Sequence, residues 1–401
     1  MEKEKKDIRQ IVMIVLILAA VIVCSLLVYR ANPMDVKQYD TADSHYCKAV
    51  VTKVNDEEIS ETDTMPGWKL GNQNVTVKIT SGEYKGEEAT FDNNLSTTHS
   101  VYVKKGTHVI VNVDSPEGVE PYYSIYQYDR TAGMIAVMII FIALMALVGR
   151  WKGVRAALGL LAAAVLICFV LIPTIFTGKP PVLMTLAVCT LITVVSMIFL
   201  NGPGAKSLTS IISTIIGLGI SAGFYGIFAL MLHMTGYNTG EAEELQLISS
   251  STGLHIREIL FCGILLSSLG AVMDISISVA SSLFEIRRTN PDMQASELFK
   301  SGMAIGQDMI GTMCQTLILA FAGSSLATLL VVVSYGTQFY QFICSDMMMI
   351  EILQSMTGSA AVIAAVPVTA FLSTIFFKGE NPAGVSVRNE PAAKKLKKRR
   401  M

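Results

Sequence analysis

Eight apolar stretches, each at least about 18 residues long, alternate with polar segments along the chain: 11–28, 131–148, 154–175, 182–200, 208–234, 259–286, 303–334 and 359–377. Each meets the length that a hydrocarbon core roughly 30 Å thick demands of a helix. The connections at 149–153, 176–181 and 201–207 are too short to hold a domain, so they make antiparallel neighbours of the helices they join.

Between 31 and 130 the period changes to two. Val75, Val77 and Ile79 alternate with polar neighbours, as do Val109, Val111 and Val113, and weaker strands are expected around 48–54 and 122–128. Ser81 to Gly86 and Lys104-Lys105-Gly106 supply turn chemistry. About five short strands in this space predict a small closed β-barrel-like domain, OB-like or related. The expected fold is therefore a membrane α-helical bundle of about eight transmembrane helices, with one small extracytoplasmic OB-like domain between helices 1 and 2. Its parts are a cytoplasmic N-terminus (1–10), a signal-anchor helix (11–28), the β-rich domain (31–130), a seven-helix region (131–377) and a basic cytoplasmic tail (378–401).

Composition agrees with a membrane class. The 401 residues are 52% hydrophobic and 16% charged, against about 25% charged in ordinary globular domains. The net charge of −1 hides an asymmetry, because 31–130 hold 16 Asp/Glu against 9 Lys/Arg, whereas the last eight residues hold six Lys/Arg. Cytoplasmic loops retain basic residues. A cytoplasmic N-terminus puts Lys3, Lys5, Lys6, Arg9, Arg150, Lys152, Arg155, Lys206, Arg287, Arg288, Lys300 and the tail on one side, and leaves the short outer loops only Lys179 and Arg257. Both termini are expected inside, in an inner or plasma membrane. Residues 27–33 offer no small-x-small cleavage site, so the first helix is expected to stay as an anchor.

Enzyme signatures are missing: there is no GxSxG, Walker loop, GxGxxG opening a helix, or HExxH. No catalytic residue, metal or cofactor is expected. The five histidines have no metal-site spacing, and five of the seven cysteines lie in apolar runs as small hydrophobes. Cys47 and Cys344 fall in outer segments where a disulfide is compatible with location, though their spacing gives it no support.

The chemically informative stretch is 270–323. Asp274 lies about ten residues, roughly 15 Å, from the cytoplasmic end of its predicted span. A carboxylate at that depth costs about 2.5–3.5 kcal/mol on insertion scales and ordinarily faces a bundle interior or a wet cavity. Ser267, Gly270, Ser278 and Ser281 share its helical stripe. On the next span Ala304, Asp308, Gly311, Thr312 and Gln315 form a second stripe, expected to face the first, with Asp308 only about five residues from the cytoplasmic boundary. Ion-binding candidates are Asp274, Asp308, Ser278, Ser281, Thr312 and Gln315; the serines alone also fit simple helix packing. Gly219, Gly223, Gly270 and Gly311 are the glycines expected at close helix contacts. Pro173 and Pro367 either break or end helices. The segment 292–299 is expected as an amphipathic elbow on the membrane surface, through Met293, Leu298 and Phe299. The basic tail suits anionic lipid, and no nucleic-acid partner is needed.

The segments GAVMDISISVASSLFEI (270–286) and SGMAIGQDMIGTMCQTLILAFAG (301–323) resemble the YibE/F-like family of multi-spanning bacterial membrane proteins, and the order of anchor, β-rich domain and helices extends the resemblance over nearly the whole chain. In that pattern an Arg often precedes the second Asp and an Asn often stands at position 315. Here Gln307 and Gln315 occupy these places, which removes a cationic partner. The resemblance implies architecture and a bacterial membrane location; it supplies no activity. Two functions lead: an ion- or proton-coupled secondary transporter of a small ion or solute using Asp274 and Asp308, and a non-transporting assembly or signalling protein whose outer domain binds a protein partner; a third, an intramembrane enzyme, ranks below both because no nucleophile and base pair stands out. The two halves of the helical region share no convincing repeat, which weakens the first.

Overall fold

A computed structural model describes residues 2–34, 44–61, 66–116, 118–238 and 242–377. The chain divides into two units, 35–150 and 1–34 with 151–401.

In the first unit β1 (Ser44–Glu61) is the central strand of an antiparallel sheet ordered β3-β2-β1-β4-β5, where β2 is Lys69–Ile79, β3 Glu88–Leu95, β4 His108–Asp114 and β5 Tyr122–Tyr128. Alternating valines make the core: Val51, Val75, Val77, Val109, Val111 and Val113 are completely buried. β1 is longer than the short strand expected, at 18 residues. Register shifts at Val51/Lys53 and Val54/Asp56 bend it, as bulges do, so that one strand serves β2 over its length and β4 over its first half. The expected closed barrel is instead a half-barrel: among the described residues no ladder joins β3 to β5.

β3 escaped the alternation test because its inward positions are Ala89, Phe91, Asn93 and Leu95, and a polar residue interrupts them. Asn93 is buried because it is paired. Gln73, fully buried on β2, accepts from the Val103 N–H (3.0 Å) and donates to the Val103 carbonyl (3.0 Å) and Glu57 (3.1 Å), while Asn93 donates to Gln73 and to the Val101 carbonyl. Expressed alone, 31–130 are expected to give a β-rich far-UV spectrum, and Gln73→Leu to lower stability by at least about 2 kcal/mol in urea titration, because it orphans two buried backbone groups and an amide. A helical or disordered spectrum, or an unchanged midpoint, contradicts this.

The second unit is built on three mutually packed helices, α5 (Ala205–Met231), α7 (Ile259–Thr289) and α11 (Asp346–Phe376). α4 (Pro181–Asn201) packs on α5 and α7, α8 (Ala295–Ser324) on α11 and α7, and α1 (Glu2–Ala31) beside residues 167–176. α6 (Ala242–Thr252) and α10 (Phe339–Ile343) are short. α2 (Thr131–Leu166) continues through a π-turn at Ile167–Leu171 into α3 (Ile172–Phe176), where Pro173 takes an early helical position. That run spans 46 residues, roughly twice what one bilayer crossing needs. It is broken at Arg150, whose φ of 50° is left-handed.

Among the described residues six helical segments are long and apolar enough to cross a membrane, or seven when α8 and α9 (Leu326–Ser334), bent by 55°, count as one. The single expected span 303–334 is thus two helices that meet at a bend beside Ser325. Pro367 stays inside α11.

Two smaller expectations change. Leu298 is completely buried against α7 and α11, with Met293 and Phe299 packed beside it, so 292–299 joins the core rather than floating as an elbow. Arg287 closes this turn by donating to the Pro291 and Met293 carbonyls. Cys47 and Cys344 are both free, and Cys47 is spent in the β core. The basic tail lies outside the described residues.

Candidate functional site

α7 places Asp274 at its centre, fifteen residues from either end, about 22 Å along the axis. α8 begins at Ala295, eight residues before the predicted span, so Asp308 stands thirteen residues in, about 20 Å from the turn. Asp308 is therefore not near a helix end. Packing shows the same depth independently: Gly217 faces Val272 and Ala365, and the next residue of α11, Val366, faces Gly306. Asp274 and Asp308 each lie two residues from these levels, within about one helical turn of each other.

Orientation differs from expectation. Val272, Ile275, Ser276, Val279 and Leu283 form the buried face of α7, and at 100° per residue Asp274 points almost opposite to them; it is exposed, as is Gly270, with Ser267, Ser278 and Ser281 half-buried at the edges. On α8 the packed face carries Leu298, Gly302 and Gly306, and Ala304, Asp308, Gly311, Thr312 and Gln315 are exposed on the other side. The two stripes thus face outward from the bundle instead of toward each other. No hydrogen bond or ion pair among the described residues joins Asp274 to Asp308. Among the described residues the α7 stripe has one side-chain hydrogen bond to another helix, the Gln354 amide donating to Ser267 at 3.3 Å, and Gly270 borders a groove with α2 and α4.

The glycine assignment also changes. Gly219, Gly223, Gly270 and Gly311 have open space where a side chain would stand. Close approach occurs at Gly217, where a Cβ would lie 2.6 Å from Val272, at Gly302, 2.8 Å from Ala370 and Leu283, and at Gly306 against Val366.

Sequence reasoning missed the polar content of the core. Ser210, Ser213, Thr214 and Ser221 of α5, Ser276 of α7 and Thr357 and Thr369 of α11 are completely buried. Some return their hydrogen to a carbonyl one turn back, as Thr214 does to Ser210 and Thr369 to Ala365. Others, the hydroxyls of Ser213, Ser221, Ser276 and Thr357, have no hydrogen-bond partner among the described residues. The signal was present: hydroxyls and glycine at 207, 210, 214, 217 and 221 follow helical spacing. Small hydroxyls let helices approach closely. Glu351, whose carboxylate receives the Ser325 hydroxyl, ties the start of α9 to α11 and was likewise unforeseen.

One family model, YibE/F-like protein, matches 137–379 and a second, the YibE/F family N-terminal domain, matches 44–128. The chain belongs to the YibE/F-like family. The matched regions coincide with the β sheet and with nearly all of the helical region after α1, and both carboxylate stripes lie inside the second of them. No curated protein and no solved structure matches the chain. With its apolar helices, this YibE/F-like chain is a multi-pass membrane protein.

Proposed function

We propose that the chain is an ion- or proton-coupled membrane transport protein in which Asp274 carries the coupling charge and Asp308 acts beside it. The observation that supports this most is two carboxylates at one depth, Asp274 at the centre of α7 and Asp308 within the adjacent α8, with no Lys or Arg between 259 and 286 or between 301 and 324 to neutralise them. Such groups are kept in membranes for ion or proton pathways. Ser278, Ser281, Thr312 and Gln315 supply neutral oxygens on the same stripes. The substrate is a small ion or solute; no resident cofactor or enzymatic step enters the proposal.

The topology that goes with it has eight spans in a bacterial cell membrane, the 46-residue run counting as two crossings joined at Arg150 and α8–α9 as one. Both termini are cytoplasmic, the half-barrel domain is extracytoplasmic, and the tail lies on anionic lipid. Protease added to right-side-out vesicles is expected to cut within 31–130 and spare the tail; loss of a C-terminal epitope instead reverses the topology.

A second reading, assembly or signalling through an outer protein partner, draws on the exposed tyrosines of the β unit. Tyr46 and Tyr126 meet edge to face at 5.0 Å, both more than half exposed, as anchors of a protein contact often are. Reconstitution separates the two: ion or proton flux in proteoliposomes of the purified chain supports transport, and tight vesicles leave the assembly reading.

A further inference from the structure

We infer that Glu351 and the break between α8 and α9 form a binding site for a small monovalent cation, of sodium size, at one mouth of the helical unit. The inference goes beyond the proposed function, which gives Glu351 no role, and rests on it only in placing that mouth outside. Every residue of the site belongs to the 151–401 part of one unit.

α8 and α11 run antiparallel and stay in contact along a seam. Gly306 meets Val366, Leu317 meets Gly358, the Cys314 thiol lies 3.8 Å from the Ser359 carbonyl, and Ser325 meets Glu351. α8 stops, and α9 bends away by 55°, where this seam reaches the carboxylate. Glu351 stands five residues into α11, about 8 Å from its start. The Ser325 hydroxyl donates to Oε1, whereas Oε2 is buried with no hydrogen-bond partner among the described residues. The amide end of α9 opens at the same break, but the Ser325 side chain caps none of its N–H groups and none of them reaches Oε2.

A carboxylate oxygen sealed from water is costly unless a donor or a cation meets it. The surrounding sequence supplies no cation: from 301 to 377 there is no Lys, Arg or His, and the charged residues are Asp308, Asp346 and Glu351. Among the described residues no ion pair reaches Glu351 from elsewhere. The break itself adds acceptors. Ser325 has spent its hydrogen on Oε1 and keeps its lone pairs, and the last turn of α8 ends there in carbonyls that carry the negative end of the helix dipole. Interrupted membrane helices offer such ends to small cations. The seam continues the same chemistry inward: Ser355 and Ser359 follow Glu351 at steps of one turn on α11, are only 6% and 7% exposed, and the Ser359 hydroxyl has no hydrogen-bond partner among the described residues. Below them Val362 and Val366 are completely buried and close the seam.

The test is the heat-induced aggregation midpoint of the full chain in detergent, in sodium chloride against N-methyl-D-glucamine chloride at equal ionic strength. Sodium at about 100 mM is expected to raise the wild-type midpoint by at least about 3 °C, and Glu351→Gln to cut that rise below about 1 °C. Each protein is compared with itself in the glucamine salt, so a lower starting stability does not hide the result. No rise in the wild type, or a rise that survives Glu351→Gln, overturns the site. Where Glu351→Gln yields no protein, Ser325→Ala carries the test: at least about a fivefold higher sodium concentration for half the rise supports the site, and an unchanged one overturns it. Asp274→Asn is expected to keep the rise. A rise lost in Asp274→Asn and kept in Glu351→Gln moves the cation to α7, which overturns this site and favours the transport reading. A rise that depends on Glu351 in a chain that gives no flux in proteoliposomes keeps the site and removes that reading.

Discussion

Asp274→Asn is expected to abolish coupled flux in proteoliposomes while leaving membrane insertion and yield unchanged. Asn keeps the size of the side chain and its capacity for hydrogen bonds, and deletes only the group that gains and loses a proton or holds a cation. A carboxylate that serves packing has no use for its charge, so a structural role tolerates the change. The outward position sharpens the test, because Asp274 makes no hydrogen bond within the described chain and its loss removes no internal contact. Flux is expected to fall at least 100-fold, corresponding to about 2.7 kcal/mol, since no other titratable group on α7 lies within two turns. Ser278→Ala is expected to change flux less than about threefold, as hydrogen bonds of this type in lipid average under about 1 kcal/mol. An Asp274→Asn protein with normal flux removes the carboxylate from the mechanism.

Much of the architecture was legible in the sequence because membranes impose it locally. A bilayer requires a long apolar run for each crossing, and a strand with one buried face requires alternation, so the apolar stretches and the Val75–Ile79 and Val109–Val113 strands announced themselves. What stayed hidden depends on partners distant in sequence. β3 buries Asn93 because Gln73 and Val101 receive it, and no local pattern encodes that. The direction of the Asp274 stripe is a further case. Spacing puts Ser267, Gly270, Asp274, Ser278 and Ser281 on one face, but both faces of α7 hold small and hydroxyl residues. Only the packing of Val272, Ile275 and Val279 against α5 and α11 decides which turns inward. The glycines failed for the same reason: the small-xxx-small spacing of Gly219 and Gly223 is real, but among the described residues nothing lies within 4 Å of where their side chains would stand.

Gly306→Leu is expected to destabilise the bundle by about 3 kcal/mol or more, whereas Gly223→Leu is expected to cost less than about 0.5 kcal/mol. Both replace a helical glycine within an apolar segment by the same good helix former, so propensity favours each equally. They differ in what the new side chain meets. A Cβ at Gly306 collides with both methyls of Val366, which is itself completely buried and flanked by Ala365 and Ala370, so neither the valine nor the α11 backbone has room to yield. One turn earlier, Gly302 meets Ala370 and Leu283 at 2.8 Å, which shows that α8 and α11 are held at glycine distance over at least two turns. Separating them enough for Leu opens the contacts around Leu298 and Leu283 that seal the same end of the bundle. At Gly223 nothing lies within 4 Å, and the added side chain meets lipid. The heat-induced aggregation midpoints of the detergent-solubilised variants, followed by size exclusion, measure the difference. Equal midpoints for Gly306→Leu and Gly223→Leu would mean that α8 does not pack on α11 through this face, and the outward direction of the Asp308 stripe, which follows from that packing, would fall with it.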